Sequence, residues 1–203
     1  MKILILDLHY ENSKSFETNI RKVIQSKYSA SIEFKRLFDP KFSYENLYNY
    51  DGIILSGISK KSTWKKQKFV EFSEKLDDLI ENKETLFFGI CGSYELLGKI
   101  FGYKIVEIDV PEIGNTEVMI TGLGIEDPLF NGLDKIINPF QYHKRAVSGV
   151  EEEKILAQND KCIQAVKFDK NVYGVQFHPE LSKKYNGQEI IENFIKIVES
   201  KKY

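Results

Sequence analysis

The chain has 203 residues, of which 42% are hydrophobic, and its formal net charge at pH 7 is −1. A chain of this length can bury one sizeable core, so a single domain spanning residues 1–203 is the expected organisation. Its 29 basic and 30 acidic residues are nearly balanced, which argues against a protein that holds nucleic acids through a basic excess.

Cysteine usage and apolar runs bear on the predicted location. Cys91 and Cys162 lie far apart and form no C-x-x-C pair, so neither a disulfide framework nor a metal site is predicted. The first apolar run is too short for a signal peptide, and no run approaches the roughly 18 apolar residues of a membrane-spanning helix. We therefore expect a cytoplasmic protein without a membrane partner.

The first half of the chain alternates between predicted strands and helices. Apolar runs predict four strands, at residues 2–8, 31–37, 53–55 and 86–90. Helical spacing of apolar residues and the position after the fourth strand predict three helices, at residues 11–27, 66–82 and 94–100. This alternation is typical of parallel βαβ units, so we predict an α/β fold with a doubly wound, mostly parallel central sheet flanked by helices.

The second half has shorter strands separated by turns. These strands are predicted at residues 104–110, 116–121, 141–147, 154–159, 163–168 and 172–177. Residues 169–171 are predicted to form a hairpin connection, and residues 187–201 a closing helix. We expect this half to extend the central sheet with antiparallel strands.

The stretch Gly89–Ser93, directly after the apolar run Leu86–Phe88, is the first candidate site. It is typical of a buried strand that turns sharply into a helix at Cys91. Such a turn exposes the side chain of a nucleophile at the top of a sheet. The N-terminus of the following helix favours both a thiolate and a developing oxyanion.

A second motif follows the apolar strand Tyr173–Phe177, which ends at His178, Pro179 and Glu180. Histidine is the usual general base for a cysteine nucleophile, and a carboxylate can hold its tautomer. Since ligands of doubly wound sheets bind at the carboxyl ends of the strands, these side chains are expected to converge on Cys91.

Together these motifs resemble the class I glutamine amidotransferase family, in which a Cys-His-Glu triad releases ammonia from glutamine. His-Pro-Glu and the preceding segment Y-G-V-Q-F match the family pattern in full. The strand-to-helix turn around Cys91, called the elbow from here on, is usually G-x-C-x-G-x-Q in the family and matches in part. The resemblance covers nearly the whole chain and is nearest to the glutaminase portion of GMP synthetases. It implies a flavodoxin-like sheet, a γ-glutamyl thioester intermediate, no metal or organic cofactor, and a separate synthetase subunit that consumes the ammonia.

In this family a loop with the pattern S-G-G-P or S-P-G-P helps to bind the oxyanion. The corresponding loop of this chain departs from that pattern. Here the loop is Ser56–Ser59, and the expected oxyanion donors are the backbone of Gly57 or Ile58 and the N–H of Gly92. Because a β-branched residue tolerates positive φ poorly, Ile58 predicts another loop conformation or a neighbouring donor. Ser93 stands at the second glycine of the elbow pattern.

Two further substrate-binding candidates are Glu95 and His143. Glu95 replaces the family's glutamine, and an ionised carboxylate cannot donate the hydrogen bonds of an amide. It would repel a substrate carboxylate but could accept an amine. His143 is expected near the site entrance, as either a structural or a substrate-proximal residue.

Three functions stay open at this point. The first is an amidohydrolase that releases ammonia from the small-molecule amide glutamine. The second keeps the chemistry but acts on γ-glutamyl peptides or other γ-glutamyl amides, which the departures at Ile58, Ser93 and Glu95 favour. The third is a non-catalytic subunit that keeps the fold and binds a partner.

Overall fold

The computed structural model describes residues 1–10, 14–24, 31–45, 47–58, 61–81, 85–183 and 186–201. The strands are β1 (Lys2–Asp7), β2 (Ser31–Arg36), β3 (Gly52–Leu55), β4 (Leu86–Ile90), β5 (Lys104–Asn115), β6 (Val118–Ile120), β7 (Ile136–Ile137), β8 (Phe140–Ser148), β9 (Ile155–Gln158), β10 (Ile163–Asp169) and β11 (Val172–Val175). The α-helices are α1 (Lys14–Ile24), α2 (Gln67–Glu81), α3 (Gly92–Ile100), α4 (Gly122–Glu126) and α5 (Glu189–Ser200). In the part of the chain just given, no helix has the length and apolar character needed to cross a membrane.

A nine-stranded sheet organises the molecule, with the strand order β2-β1-β3-β4-β11-β10-β9-β6-β7. The five strands β2, β1, β3, β4 and β11 run parallel to one another. The remaining pairings are antiparallel, beginning with the β10–β11 hairpin. The parallel part has the strand order of flavodoxin-like sheets. This confirms the predicted α/β fold with a parallel centre and an antiparallel extension.

The buried strands place alternate side chains on the two faces of the sheet, as strand geometry requires. In β4, Phe88 faces the cluster formed with α1 and α5, whereas Phe87 faces the cluster formed with α2 and α3. Helices therefore cover both faces of the parallel strands. The carboxyl ends of those strands are left open at one edge, where β4 ends next to Cys91.

The predicted elements of the first half are confirmed with small shifts of their ends. The helix predicted at 11–27 is α1, and residues 11–13 and 25–27 lie outside the described residues. The elbow helix begins at Gly92, two residues before the predicted start, because the chain enters helical geometry directly after Cys91.

The second half departs from prediction in one important respect. The expected strand 104–110 continues to Asn115 as β5, and it pairs with β8 in a separate two-stranded ribbon. The expected strand 141–147, which is part of β8, therefore does not extend the central sheet. Pro111 is tolerated within β5 because both strands of a two-stranded ribbon are edges. The elements α4 and β7 were not predicted, because they are too short to show a period.

The stacked pair Phe88 and Phe194 gives a stability test of the α5 face. Their ring centroids are 5.2 Å apart, and both side chains are fully buried. We expect Phe194→Ala to lower the free energy of unfolding by about 3–5 kcal/mol, through lost burial and the cavity left behind. Val70→Ala, at a side chain that is 40% exposed on α2, should change it by less than about 0.5 kcal/mol.

Urea denaturation monitored by circular dichroism measures both variants. A cost below about 1 kcal/mol for Phe194→Ala would contradict the packing described for this face.

Candidate active site

The backbone of Cys91 has an unusual conformation, with φ 51° and ψ −105°. Among the described residues it is the one non-glycine residue with positive φ. Such a conformation costs on the order of 1–3 kcal/mol and persists only when its surroundings hold it. Two backbone hydrogen bonds hold it here: Cys91 N donates to Val175 O over 2.8 Å, and Glu95 N donates to Cys91 O over 3.1 Å.

The buried side chain of Ser93 connects the ends of β3 and β4 at the elbow through hydrogen bonds. Its buried Oγ accepts a hydrogen bond from Ile90 N at 2.7 Å and lies 2.9 Å from Leu55 O and 3.0 Å from Ile90 O. The hydroxyl can donate its one proton to either carbonyl. Ser93 thus links the last residues of β3 and β4 at the turn, which explains how this position accommodates a residue other than glycine.

Gly92 lies directly against the loop that follows β3. A Cβ atom on Gly92 would be only 2.6 Å from both the backbone N and the Cβ of Ile58. The absence of a side chain at Gly92 therefore lets the loop backbone approach the elbow. Ile58 is not among the described residues with positive φ, so the conformational conflict expected at this position does not arise. Ile58 N and Gly92 lie side by side next to Cys91.

His178 follows β11 and is fixed through both its backbone and its ring. Its N–H donates to Phe140 O at 2.8 Å, and its Nδ1 lies 2.8 Å from Glu180 Oε1. A Cβ atom on Gly57 would lie 3.2 Å from His178 Cε1 and 3.7 Å from Cys91 Cβ, so the two side chains meet beside this glycine. The His-Pro-Glu motif thus brings an imidazole against Cys91 and a carboxylate behind it.

The charge environment of His178 favours its protonated form. Burial alone would lower the pKa of this imidazole, but the Cys91 thiol group and the Glu180 carboxylate raise it well above the ordinary value. The surroundings of His178 therefore favour the cationic form of its ring over the neutral form.

A cavity of about 490 Å³ opens beside the elbow. Seven of the eight predicted site residues line it: Gly57, Ile58, Cys91, Gly92, Glu95, His143 and His178. The eighth, Glu180, is buried behind His178. The predicted residues are thus brought together around one opening.

Glu95 has a partner that was not predicted from the sequence. Its Oε2 lies 2.5 Å from Nη2 of Arg145, which comes from β8 and lines the same cavity. Burial raises the pKa of this carboxyl, and the charge and hydrogen bond of Arg145 oppose that increase. The negative charge expected at position 95 is therefore balanced by a cation. No sequence signal connects Glu95 and Arg145, since the two elements meet only in the folded chain.

His143 belongs to a buried polar cluster under the β5–β8 ribbon. Its Nδ1 lies 2.9 Å from Arg145 O, and its Nε2 lies 3.1 Å from Oε2 of Glu112. Asn159 and Gln164 also donate to the Glu112 carboxylate, each over 2.8 Å. Although burial would raise the pKa of Glu112, these hydrogen bonds hold it below its ordinary value. Glu112 was likewise not predicted from the sequence.

The same cluster contains the described side chains that could converge on a metal ion. One ligand atom each from Glu112, His143 and Cys162 lies within 4.8 Å of the others. Nε2 of Gln164 donates to Glu112 Oε2 at 2.8 Å and lies 3.2 Å from Cys162 Sγ. Burial and the nearby Glu112 carboxylate also raise the pKa of the Cys162 thiol well above its usual range. Hydrogen bonds therefore account for this cluster.

Comparison with known proteins agrees with the fold and shows the family. The family model of the class I glutamine amidotransferases matches residues 8–198. A glutamine-hydrolysing GMP synthase subunit of Methanosphaera stadtmanae is 36% identical over 155 residues, which are 75% of this chain and 77% of that protein. The corresponding subunit of Pyrococcus abyssi is 32% identical over 153 residues, with 73% and 76% of the two chains covered.

Longer proteins and solved structures match as well. A GMP synthase of Caldanaerobacter subterraneus is 30% identical over 200 residues, which are 95% of this chain but 35% of that protein. The crystal structure of a glutamine amidotransferase from Thermotoga maritima superposes with a TM-score of 0.74 at 20% identity, covering 100% of this chain and 85% of the other, and shows the shared fold. The chain belongs to the class I glutamine amidotransferase family.

Proposed function

We propose that this protein is a glutaminase that releases ammonia from glutamine through a γ-glutamyl thioester on Cys91. The observation that carries the proposal is the arrangement at the carboxyl ends of β4 and β11, where Cys91 and His178 line a cavity large enough for an amino acid and Glu180 supports His178 from behind. The names of the relatives, which describe glutamine-hydrolysing proteins, support the same substrate.

The first half-reaction follows from the two charged groups. The Cys91 thiolate attacks the γ-carbonyl carbon of glutamine, and the carbonyl oxygen becomes an oxyanion. As the C–N bond breaks, the His178 imidazolium gives its proton to the leaving nitrogen, so ammonia departs and a thioester remains. Glu180 holds the ring by accepting the hydrogen bond from Nδ1.

Hydrolysis then reverses the proton movement. Neutral His178 takes a proton from water, and the resulting hydroxide attacks the thioester carbonyl. Collapse of this second tetrahedral intermediate releases the γ-carboxylic acid and restores the thiolate and the imidazolium. The acid then gives its proton to the released ammonia, so the final products are glutamate and ammonium. Atoms and charges balance with water as the one co-reactant, and these steps use side chains of this chain alone.

The backbone amides of Gly92 and Ile58 are the proposed oxyanion donors. The N-terminus of α3 begins at Gly92, directly after the nucleophile, and Ile58 N is one of the loop atoms that lie closest to Gly92. Preorganised donors of this kind contribute roughly 3–4 kcal/mol each to transition-state stabilisation.

The proposed consumer of the ammonia is a separate synthetase subunit. Curated relatives of similar length are named as one subunit of a GMP synthase, and this chain aligns with 35% of the longer GMP synthase of Caldanaerobacter subterraneus. We extend that division of labour to this chain, with the cytoplasm as the compartment.

One observation favours the alternative of a γ-glutamyl amide hydrolase. Position 95 carries a glutamate paired with Arg145 rather than the glutamine typical of the family, so the cavity differs where a substrate would lie. In this alternative the acyl group of the substrate is the same and the leaving amine is larger.

Ammonia release from glutamine tests the proposed function. We expect Cys91→Ser and His178→Asn each to lower kcat by about 10³-fold or more, because the nucleophile and the proton donor act as one unit. Cys162→Ser is the matched control, since its thiol lies in the cluster under the ribbon and should leave the rate unchanged.

Glutamine hydrolysis is measured both in the isolated chain and in the presence of a synthetase subunit, beside hydrolysis of a γ-glutamyl anilide. Turnover of the anilide with none of glutamine would replace the first function by the alternative. Full activity in Cys91→Ser would contradict both.

The pH–rate profile tests the role of Glu180. Since its carboxylate helps raise the pKa of His178, Glu180→Gln should lower that pKa. An imidazolium is present below its pKa and is lost as the pH rises through it, so the alkaline limb of the kcat/KM profile should move to lower pH. An unchanged alkaline limb, in a variant with reduced kcat, would contradict the assignment of Glu180.

A further inference from the structure

The ion pair between Glu95 and Arg145 lies in the wall of the catalytic cavity. The Glu95 side chain is only 3% exposed, whereas the Arg145 side chain is 23% exposed. Glu95 is therefore nearly enclosed, and Arg145 is the more exposed member of the pair. A charge pair held this way costs desolvation energy, so burial alone does not explain its presence.

Arg145 is held through both its guanidinium and its backbone. Its Cζ lies 5.5 Å from the ring centroid of Trp64, and the backbone oxygen of Arg145 is 2.9 Å from Nδ1 of His143. The close contact with Glu95 is made by Nη2. A guanidinium has five N–H donors in a planar fork, so this contact leaves donors for a second anion.

The position of the pair suits one end of an amino acid. Glu95 follows Cys91 by about one helical turn, a rise of roughly 5.4 Å per turn. In glutamine, four carbon–carbon bonds separate the γ-carboxamide carbon from the α-carboxylate carbon, about 5 Å at ordinary bond lengths. A substrate with its amide carbon at Cys91 can therefore place its α-amino acid group near this pair.

We propose that Glu95 and Arg145 together bind the α-amino acid group of the substrate, with Arg145 taking the α-carboxylate and Glu95 the α-ammonium. This inference rests on the proposed function and adds the substrate class to it. The one negative and one positive charge match the zwitterion of a free amino acid. The pair selects a free γ-glutamyl group, which glutamine shares with other γ-glutamyl amides.

Binding to the inactive Cys91→Ala protein tests the inference without turnover. Calorimetry compares L-glutamine with glutamine α-amide, in which a carboxamide replaces the α-carboxylate, and with 4-carbamoylbutanoate, which lacks the amino group. Each analogue lacks one of the proposed charge-assisted hydrogen bonds. We therefore expect the Cys91→Ala protein to bind each analogue about 10- to 100-fold more weakly than glutamine.

Variants of the pair should abolish these preferences selectively. Removing Arg145 alone would leave the buried Glu95 carboxylate without its cation. Arg145 is therefore replaced only in the double variant Glu95→Gln/Arg145→Met, and this variant is compared with Glu95→Gln. We expect Glu95→Gln to lose the preference for the ammonium and to keep that for the carboxylate. The double variant should lose both. Lys99→Met is the matched control, because Lys99 also lies over Trp64 but does not line the catalytic cavity.

The outcomes separate this inference from the proposed function. Equal binding of glutamine and its α-amide by the Cys91→Ala protein would overturn the inference alone, as would a preference for the carboxylate that survives in the double variant Glu95→Gln/Arg145→Met. A Cys91→Ala protein that binds none of the three, in a chain whose wild-type form hydrolyses no glutamine, would overturn both. Equal affinity of the double variant for all three compounds would support the inference, even if that affinity is low.

Discussion

The backbone of Cys91 is held at φ 51° and ψ −105°, a conformation that β-carbon sterics disfavour in any residue other than glycine. Everything else at the site depends on how this strain is maintained. The end of β11 accepts the Cys91 N–H, Ser93 Oγ accepts the Ile90 N–H, and Ile58 closes over Gly92. Three separate segments therefore have to fold before the thiol is placed. The same contacts align α3 below the sulfur and set the proposed oxyanion donors beside it.

The two sheets contribute different parts of the site. The central parallel sheet delivers the groups proposed to do chemistry, Cys91 from the end of β4 and His178 with Glu180 after β11. The β5–β8 ribbon delivers charged and polar groups, with Arg145 in the cavity wall and His143 anchored to Glu112 below it. The central sheet thus holds the groups proposed to react, and the ribbon supplies part of the cavity wall. Changes in the ribbon can alter specificity while leaving the proposed triad intact.

The sequence revealed those parts of the structure that follow from short local patterns. The parallel strands were visible because strands covered on both faces are continuously apolar, and Cys91 was visible because it stands between such a strand and a helix. The His-Pro-Glu motif fixed both of its side chains within three residues. The close approach of Gly92 to Ile58 was not predictable, because it depends on where the loop after β3 crosses the elbow.

Long-range polar pairs account for the rest of what prediction missed. Glu95 and Arg145 are 50 positions apart, and nothing local distinguishes either from a surface charge. Glu112 lies in a segment next to Pro111, where a continuing strand was not expected. The pairing of β5 with β8 places the Glu112 carboxylate next to His143. Tertiary pairing therefore determines which residues lie in and next to the cavity, and the periodicity of a single segment does not reveal it.

The most direct test of a Cys91 nucleophile in a glutamine-binding cavity is the intact mass of the protein after exposure to a diazo-ketone analogue of glutamine. Cys91→Ser is treated in parallel, and the modified peptide is identified by fragmentation. We expect a single adduct on Cys91 that is absent from the variant and is suppressed by excess glutamine. An adduct that persists in Cys91→Ser would contradict this assignment. So would the absence of any adduct in a protein whose Cys91 still reacts rapidly with a small alkylating agent.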